Sequence, residues 1–358
     1  MTGTDTIDVA FIGHPASFRH LAQMIEKTDG PEAARRVIRN EKAFTAFMDW
    51  MPSRATSHRP IIQLNGTSVR AAMIVCWFLP QIIDNHQKLM SGIAKVLQAV
   101  NVAANMGAKV ASLGGFTSIL AGRRRFSAAD DAGITLTAGN ALTAALAIAQ
   151  LRAVLAAQDR PLQGETVAIV GASGDVGGTA AALLGTEPRR MLLVARNQVR
   201  LERARRLLVH PDAACVTLSD AIAQASVIVA ATSASRPILN ADELRPGTIV
   251  CDLGYPPTTT STTGDQKATV LHAGIAEFPA PLGLGSYSRL ARPNHLYGCS
   301  TEGVVLAARP DLRHLARAQG ESGRAEALAL LDAALSLGLR PVAETLDTQL
   351  AEHLENLV

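Results

Sequence analysis

The sequence predicts an α/β protein, and three observations lead to this prediction. Strand-like and helix-like segments alternate from residue 166 to residue 252. The first of these strands ends in the glycine-rich sequence Gly171-Ala-Ser-Gly174-Asp-Val-Gly177. A separate stretch with short β-rich segments precedes this alternation, from Ile7 to Leu113. Because alternating strands and helices are the repeating unit of a right-handed parallel sheet, we expect a parallel sheet behind a first, smaller α/β part.

The first part of the chain has the pattern of a small α/β domain. We assign residues 1–133 to this N-terminal domain and expect it to bind the substrate. Hydrophobic patterning predicts strands at 7–12, 60–64, 68–75 and 109–113 and a long amphipathic helix at 81–106. The last strand ends at Gly114-Gly115, where the backbone has room to approach a ligand closely.

The second part predicts a Rossmann-like, doubly wound parallel sheet in residues 134–305. It opens with an alanine-rich helix that runs from Gly139-Asn140 to Ala157 and bridges the two parts. Strands are predicted at 166–170, 191–195, 214–217, 227–231 and 248–252. Residues 306–358 are predicted to be a C-terminal helical segment; the helices after Cys299 are expected at 301–309, 310–318, 322–337 and 341–356.

The glycine-rich turn indicates a dinucleotide site. Gly171 suits the tight turn, Gly174 the close approach of a pyrophosphate, and Gly177 the packing of helix on strand. Arg196 follows the second strand, where NAD sites favour a carboxylate, and its guanidinium suits a 2′-phosphate. The predicted cofactor is therefore NADPH. The residues expected to bind it are Gly171, Ser173, Gly174, Asp175, Val176, Gly177, Arg196, Asn197, Thr232, Ser233, Gly254 and Tyr255.

Composition narrows the class of protein further. A net charge of +3 over 358 residues does not indicate nucleic-acid binding. The apolar run 71–83 is interrupted by Pro80 and is too short to span a bilayer, and the N-terminus has no signal-peptide pattern. Four widely spaced cysteines show no metal-ligand spacing, so we expect no metal and a cytoplasmic location. The run Arg123-Arg124-Arg125 fits either a solvated loop or a patch that meets an acidic carrier.

Cys299 is the candidate nucleophile. Gly298 precedes it and Ser300-Thr301-Glu302 resembles the first turn of a helix, so the sulfur is expected at a helix N-terminus. There the macrodipole favours thiolate over thiol and lowers the pKa. The other cysteines lie within apolar or strand-like segments and are expected to be structural: Cys76, Cys215 and Cys251.

Several motifs together resemble the long-chain acyl-(acyl-carrier-protein) reductases of the cyanobacterial alkane pathway over nearly the full chain. The motifs that carry the resemblance are Phe11-Ile-Gly-His14, Cys76-Trp-Phe-Leu-Pro80, Ser112-Leu-Gly-Gly-Phe-Thr-Ser-Ile119, Gly139-Asn140 with Thr143, Gly171 to Gly177, Leu192 to Gln198, Asp252-Leu-Gly-Tyr-Pro256, Gly274-Ile-Ala-Glu277, and Cys299 with Glu302.

The resemblance implies reduction of a fatty acyl thioester to the free aldehyde with NADPH, through an acyl group carried on Cys299. It implies an acyl carrier protein or acyl-CoA as substrate donor and an aldehyde-consuming enzyme as a partner. The chain departs from the family pattern at Thr232-Ser-Ala-Ser235 and Leu142, among other places, which leaves the acyl chain open. Candidates for the substrate pocket are His14, Phe116, Thr117, Ser118 and Asn140.

Two alternatives stay open at this point. A shikimate-dehydrogenase-like NADP-dependent hydroxy/keto oxidoreductase shares the order of Gly139-Asn140, a bridging helix and a nucleotide-binding sheet. It would leave Cys299 without a role, and its catalytic lysine and aspartate pattern is not evident. A non-catalytic NADP-binding protein is the third class.

Overall fold

The structure is a computed structural model that describes residues 6–84, 86–122, 133–260, 268–284 and 290–345. The basic run Arg123-Arg124-Arg125 lies outside the described residues. The strands are β1 (Val9–Gly13), β2 (Arg54–Ala55), β3 (Ile61–Leu64), β4 (Thr67–Val75), β5 (Val110–Leu113), β6 (Thr135–Thr137), β7 (Thr166–Val170), β8 (Arg190–Val194), β9 (Ala213–Cys215), β10 (Val227–Ala230), β11 (Thr248–Asp252), β12 (Ala268–Glu277), β13 (His295–Tyr297) and β14 (Arg340–Thr345).

The α-helices of the described residues are α1 (Phe18–Asp29), α2 (Pro31–Arg39), α3 (Glu41–Met48), α4 (His86–Asn105), α5 (Phe116–Ala121), α6 (Asn140–Ala157), α7 (Asp175–Leu184), α8 (Gln198–Leu207), α9 (Leu218–Gln224), α10 (Gly298–Ala308) and α11 (Arg324–Ser336). Short 3₁₀ helices cover Pro80–Asp84, Leu162–Gly164, Ala241–Glu243 and Pro310–Leu315.

The chain folds as two compact units, each made of discontinuous stretches. The first takes its residues from Met1–Gly139, Phe278–Gln319 and Ala333–Leu339, and the second from Asn140–Glu277, Gly320–Asp332 and Arg340–Val358. Residues 278–305 were predicted to belong to the nucleotide-binding domain, residues 134–305. In the structure this stretch belongs to the first unit because α10 packs on β1 and β5.

The first unit is built on a mixed sheet with the order β2-β4-β1-β5-β6, with β3 paired to β4. Strands β4, β1, β5 and β6 are parallel, so their carboxyl ends lie at the same edge of the sheet. Ala10 and Ile12 of β1 join a hydrophobic core that includes much of α4. The Val9 side chain lies on the opposite face of the sheet, because side chains alternate along a strand. On that face, a Cβ added to Gly303 of α10 would lie 3.2 Å from a Val9 methyl group.

The second unit contains the predicted Rossmann-like sheet. Its parallel strands follow the order β9-β8-β7-β10-β11-β12. With β7 counted as the first strand, this is the 3-2-1-4-5-6 order of dinucleotide-binding folds. Every residue of β7, β10 and β11 is buried, as expected of strands covered on both faces. The fold class predicted from the sequence is confirmed.

The end of the chain corrects one prediction. The sequence was expected to form a helix at 341–356, but residues 340–345 form β14, which pairs antiparallel with β12, and the remainder lies outside the described residues. Strand β12 was itself not predicted, so no partner for β14 was foreseen. Among the described residues, β14 pairs with β12 alone and is therefore an edge strand. An edge strand tolerates Pro341, which has no main-chain N–H to donate.

Within the part of the chain that the structure describes, one helix is long and apolar enough to cross a membrane by length and composition alone. It is α6, and 56% of its apolar window is buried inside the protein. It packs against α7, β12 and β14 within the second unit. This burial is the pattern of a core helix.

Candidate active site

The glycine-rich turn of the second unit lies at the point where the strand order reverses, between β7 and β10. Gly171 has φ +96°, and a Cβ there would lie 2.2 Å from the main-chain oxygen of Ala231. A Cβ on Gly177 would lie 2.3 Å from the main-chain oxygen of Gly171. A Cβ on Gly174 would lie 3.2 Å from that oxygen, with no other non-neighbouring atom of the described residues within 4 Å. Internal packing therefore requires the first and third glycines, whereas Gly174 leaves open space in front of the turn.

The helix that follows the turn offers main-chain donors to an anion. Gly174 is the N-cap of α7, and no side chain in the described part of the chain caps this end. Its first turn contains Asp175, Val176 and Gly177. The Asp175 carboxylate accepts a hydrogen bond from the main-chain N–H of Gly320 at 2.9 Å. An uncapped helix start after a tight glycine turn fits the pyrophosphate of a dinucleotide.

The end of β8 supplies the arginine that the sequence assigned to the 2′-phosphate. Arg196 and Asn197 are both exposed. Asn197 caps α8 by accepting a hydrogen bond from the main-chain N–H of Arg200 at 2.9 Å. The Arg200 guanidinium donates to the main-chain oxygen of Ser173 in the glycine-rich turn at 3.0 Å. Arg200 was not among the predicted site residues, because its guanidinium meets a residue 27 positions earlier in the chain.

A buried carboxylate organises the loop after β11. Asp252 is fully buried and accepts four hydrogen bonds, from the main-chain N–H groups of Gly254, Thr258 and Thr259 and from the Thr258 hydroxyl, all at 2.8–2.9 Å. The loop that it holds contains Tyr255, and Thr232 and Ser233 follow the neighbouring strand β10. These three residues lie at the carboxyl edge of the sheet, where dinucleotides bind in this fold.

Cys299 lies in the first unit, as the second residue of α10. Its main-chain oxygen accepts a hydrogen bond from the Ser112 hydroxyl at 2.5 Å. Gly139 packs directly against its backbone: with φ +66°, a Cβ there would lie 2.2 Å from the Cys299 Cα. A Cβ on Gly114 would lie 3.8 Å from the Cys299 Sγ. The thiol therefore lies beside the glycine pair that follows β5.

The pKa of the Cys299 thiol is raised, whereas the helix-dipole argument predicted that it would be lowered. Burial is the main cause, and the negative charge of Glu302 acts in the same direction. The side chain and main chain of Ser300 and the main chain of Gly115 act in the opposite direction through hydrogen bonds. The cost of removing the thiolate from water outweighs the stabilisation expected from the helix N-terminus.

The candidates for the substrate pocket have structural contacts. The His14 ring accepts a hydrogen bond at Nε2 from the main-chain N–H of Phe116 at 3.0 Å, so its proton is on Nδ1, 2.9 Å from the Pro15 oxygen. Burial lowers the pKa of His14 to about 4, which keeps the ring neutral at pH 7. Thr117 donates to the main-chain oxygen of Gly114 at 2.9 Å.

Ser118 donates to the main-chain oxygen of Gly115 at 2.7 Å. Phe116 is fully buried and meets His14 edge to face. These residues hold the turn beside Cys299. Asn140 lies in the second unit instead, with its side-chain amide 3.4 Å from the Asp175 carboxylate.

The other cysteines differ from Cys299 in their surroundings. Burial raises the pKa of both Cys76 and Cys251 to about 12. Cys76 is in contact with the main chain of α4, and Cys251 with that of α6. Burial also raises the pKa of Cys215, which lies in β9. Cys299 is the cysteine whose sulfur lies beside Gly114, 3.8 Å from a Cβ added there.

Fold and site together define a Rossmann-type dehydrogenase or reductase, and comparisons with known proteins agree. Residues 154–272 match the model of the family Shikimate / quinate 5-dehydrogenase. The chain is 26% identical over 301 residues to the long-chain acyl-[acyl-carrier-protein] reductase of Synechococcus elongatus, covering 80% of this chain and 86% of that protein. The resemblance that the motifs predicted is thus confirmed as a similarity to that reductase over most of both chains.

Two further proteins are similar to this chain, one in sequence over about a third of its own length and one in structure at low sequence identity. Aminotransferase PigE of a Serratia species is 30% identical over 315 residues, which are 83% of this chain and 35% of that protein. L-tryptophan dehydrogenase of Nostoc punctiforme matches in structure with a TM-score of 0.35 and 13% identity, covering 72% of this chain and 66% of that one. The family match of residues 154–272 and the similarity to the acyl-carrier-protein reductase support an NADP-dependent reductase as the class of this protein.

Proposed function

We propose that this protein reduces an acyl thioester to the free aldehyde with NADPH, and that Cys299 carries the acyl group during the reaction. The observation that supports this most is the setting of Cys299, whose sulfur lies beside Gly114 and Gly115 at the uncapped start of a helix. The relationship to an acyl-carrier-protein reductase supports the same activity.

NADPH fits the second unit. The open space in front of Gly174, the uncapped start of α7 and the exposed Arg196 suit the pyrophosphate and the 2′-phosphate. When bound, NADPH supplies the hydride that takes the acyl group to the oxidation level of an aldehyde.

The residues of the first unit would carry out the acyl transfer. The Cys299 sulfur attacks the acyl carbonyl, forms a new carbon–sulfur bond and displaces the thiol of the carrier. The first turn of α10 has no side-chain cap among the described residues, so its N–H groups are available to the oxyanion. Each such donor contributes about 3 to 4 kcal/mol in other acyl-transfer sites. After reduction, cleavage of the same carbon–sulfur bond releases the aldehyde and regenerates Cys299.

The donor of the acyl group would be an acyl carrier protein or coenzyme A. We further propose that the protein acts in the cytoplasm and that an aldehyde-consuming enzyme takes the product. The departures from the family pattern at Leu142 and Thr232–Ser235 leave room for a short or branched acyl chain.

A direct test is to supply NADPH or NADH with acyl-CoA and acyl-carrier-protein thioesters of graded chain length. We expect one aldehyde, measured by gas chromatography and mass spectrometry, for each NADPH consumed. The match of residues 154–272 to a dehydrogenase family favours the second candidate, a hydroxy/keto oxidoreductase. NADPH consumption with keto acids, and none with any thioester, would contradict our proposal and support that candidate.

A further inference from the structure

A buried carboxylate lies one helical turn after the nucleophile. Glu302 follows Cys299 by three residues in α10, and it is 1% exposed. Side chains at this spacing share a helix face, with Cβ atoms about 5–6 Å apart. The negative charge of Glu302 raises the pKa of the Cys299 thiol, after the larger effect of burial. Because burial of a carboxylate costs free energy, its presence beside the thiol requires an explanation.

The hydrogen bonds of Glu302 connect it to the backbone around Cys299. Its Oε1 accepts a short hydrogen bond from the Thr137 hydroxyl. The Thr137 oxygen accepts in turn from the main-chain N–H of Gly139 at 2.9 Å, and Gly139 packs on the Cys299 backbone. This chain fixes the carboxyl group relative to the nucleophile.

The Cys299 thiol must give up its proton when the sulfur attacks a carbonyl carbon. An ordinary thiol is mostly protonated at neutral pH, and burial raises the pKa of Cys299 further, so an acceptor for the proton favours the attack. His14 cannot accept it, because its Nε2 already accepts from Phe116 and its pKa is about 4. Glu302 is a carboxylate one helical turn from Cys299, and its hydrogen bonds tie it to the backbone that packs on Cys299.

We propose that Glu302 is the proton acceptor for Cys299. This inference rests on the proposed thioester reduction. As the Cys299 sulfur bonds to the acyl carbon, the thiol proton moves to the Glu302 carboxylate. As the bond between the acyl carbon and the carrier sulfur breaks, Glu302 returns the proton to that sulfur, which leaves as a neutral thiol. No oxidant or reductant takes part in this half-reaction.

The test compares two reactions of the full-length protein without NADPH. Acylation of Cys299 by an acyl-CoA is followed by intact-protein mass spectrometry, and alkylation by iodoacetamide is followed across pH. Glu302→Gln keeps the shape of the side chain but cannot accept the proton. We expect its acylation at pH 7 to slow by about 100-fold, in the range of general acid–base catalysis. Its alkylation midpoint should move to lower pH, because a negative charge beside the thiol has been removed.

Two further variants separate proton transfer from positioning. Thr137→Val removes the hydroxyl that connects Glu302 to Gly139 and keeps the carboxylate, so its acylation should slow by less than 10-fold. Glu302→Asp keeps a carboxylate and should recover part of the rate lost in Glu302→Gln. If Glu302→Gln unfolds, Glu302→Asp becomes the deciding variant. We then expect Glu302→Asp to be acylated at a rate between those of the wild type and Cys299→Ala.

Several outcomes would overturn the inference. Acylation of Glu302→Gln at the wild-type rate would do so, as would equal losses of acylation and alkylation in that variant. If Glu302→Asp is the deciding variant, an acylation rate no higher than that of Cys299→Ala would also overturn the inference. If the wild-type protein itself is not acylated by any thioester, the proposed function fails, and this result is distinct from a failure of the role of Glu302.

Discussion

Gly139→Ala tests the close approach on which the geometry of the nucleophile depends. The added Cβ would lie 2.2 Å from the Cys299 Cα and 2.5 Å from its main-chain oxygen, and both are backbone atoms that cannot rotate away. To restore an ordinary contact of 3.4 Å, the start of α10 must move by about 1 Å. A displacement of this size at a reacting group can cost about 100-fold in rate.

The stability cost of Gly139→Ala has two parts. A side chain at φ +66° costs about 1 to 2 kcal/mol, and overpacking adds about 1 to 3 kcal/mol, so we expect unfolding free energy to fall by about 2 to 5 kcal/mol. Gly66→Ala is the matched control, because Gly66 has φ +73° and an added Cβ would have no non-neighbouring atom of the described residues within 4 Å. Gly66→Ala should lose only the cost of the positive φ, about 1 to 2 kcal/mol of unfolding free energy, and its Cys299 should be acylated at the wild-type rate.

The measurements for this pair are urea unfolding and the rate of Cys299 acylation by an acyl-CoA without NADPH. We expect Gly139→Ala to lose about 100-fold in acylation while NADPH binding by the second unit is retained. If Gly139→Ala and Gly66→Ala lose equal stability and both acylate at the wild-type rate, the packing of Gly139 on Cys299 is not as described.

Three other predictions concern the cofactor and the pH dependence of stability. Gly174→Val should remain folded, since an added Cβ meets only one oxygen at 3.2 Å, yet lose NADPH binding by titration; unchanged affinity would place the cofactor elsewhere. Arg196→Ala should lose about 1.5 to 3 kcal/mol of NADPH binding and leave NADH binding nearly unaffected, and an equal loss for both would remove Arg196 from this role. His14 has a pKa near 4 in the folded protein and near 6.5 when unfolded, so it stabilises the fold above pH 6.5 and loses this contribution as pH falls toward 4. The wild-type protein should therefore lose about 3 kcal/mol more than His14→Gln between these two pH values in urea unfolding, and parallel pH curves would contradict the assignment.

Local patterns were sufficient to predict the nucleotide-binding strand and its turn. The apolar run of β7, the three glycines after it and the helix start all lie within a few residues, so their geometry follows from neighbouring sequence. The strands β10 and β11 were predicted for the same reason. Strand β14 was not, because its conformation depends on pairing with β12, about 70 residues earlier in the chain.

The site of Cys299 could be predicted only in part. Its place at a helix start followed from Gly298 and the polar residues after it. Its contacts with Ser112, Gly114 and Gly139 join residues that are more than 150 positions apart in the chain, and no local pattern reports them. The sign of the thiol pKa shift was wrong for the same reason, since burial depends on these distant neighbours.

The central claim is that Cys299 carries the acyl group, and the location of a trapped acyl label tests it most directly. The wild-type protein and the single variants Cys76→Ser, Cys215→Ser, Cys251→Ser and Cys299→Ser are incubated with an acyl thioester without NADPH and examined by intact-protein and peptide mass spectrometry. We predict one acyl group on the peptide that contains Cys299 in every protein except Cys299→Ser, which should still bind NADPH but form no aldehyde when it is added. A labelled and active Cys299→Ser variant, or a label on any other cysteine in the wild-type protein, would contradict the covalent mechanism.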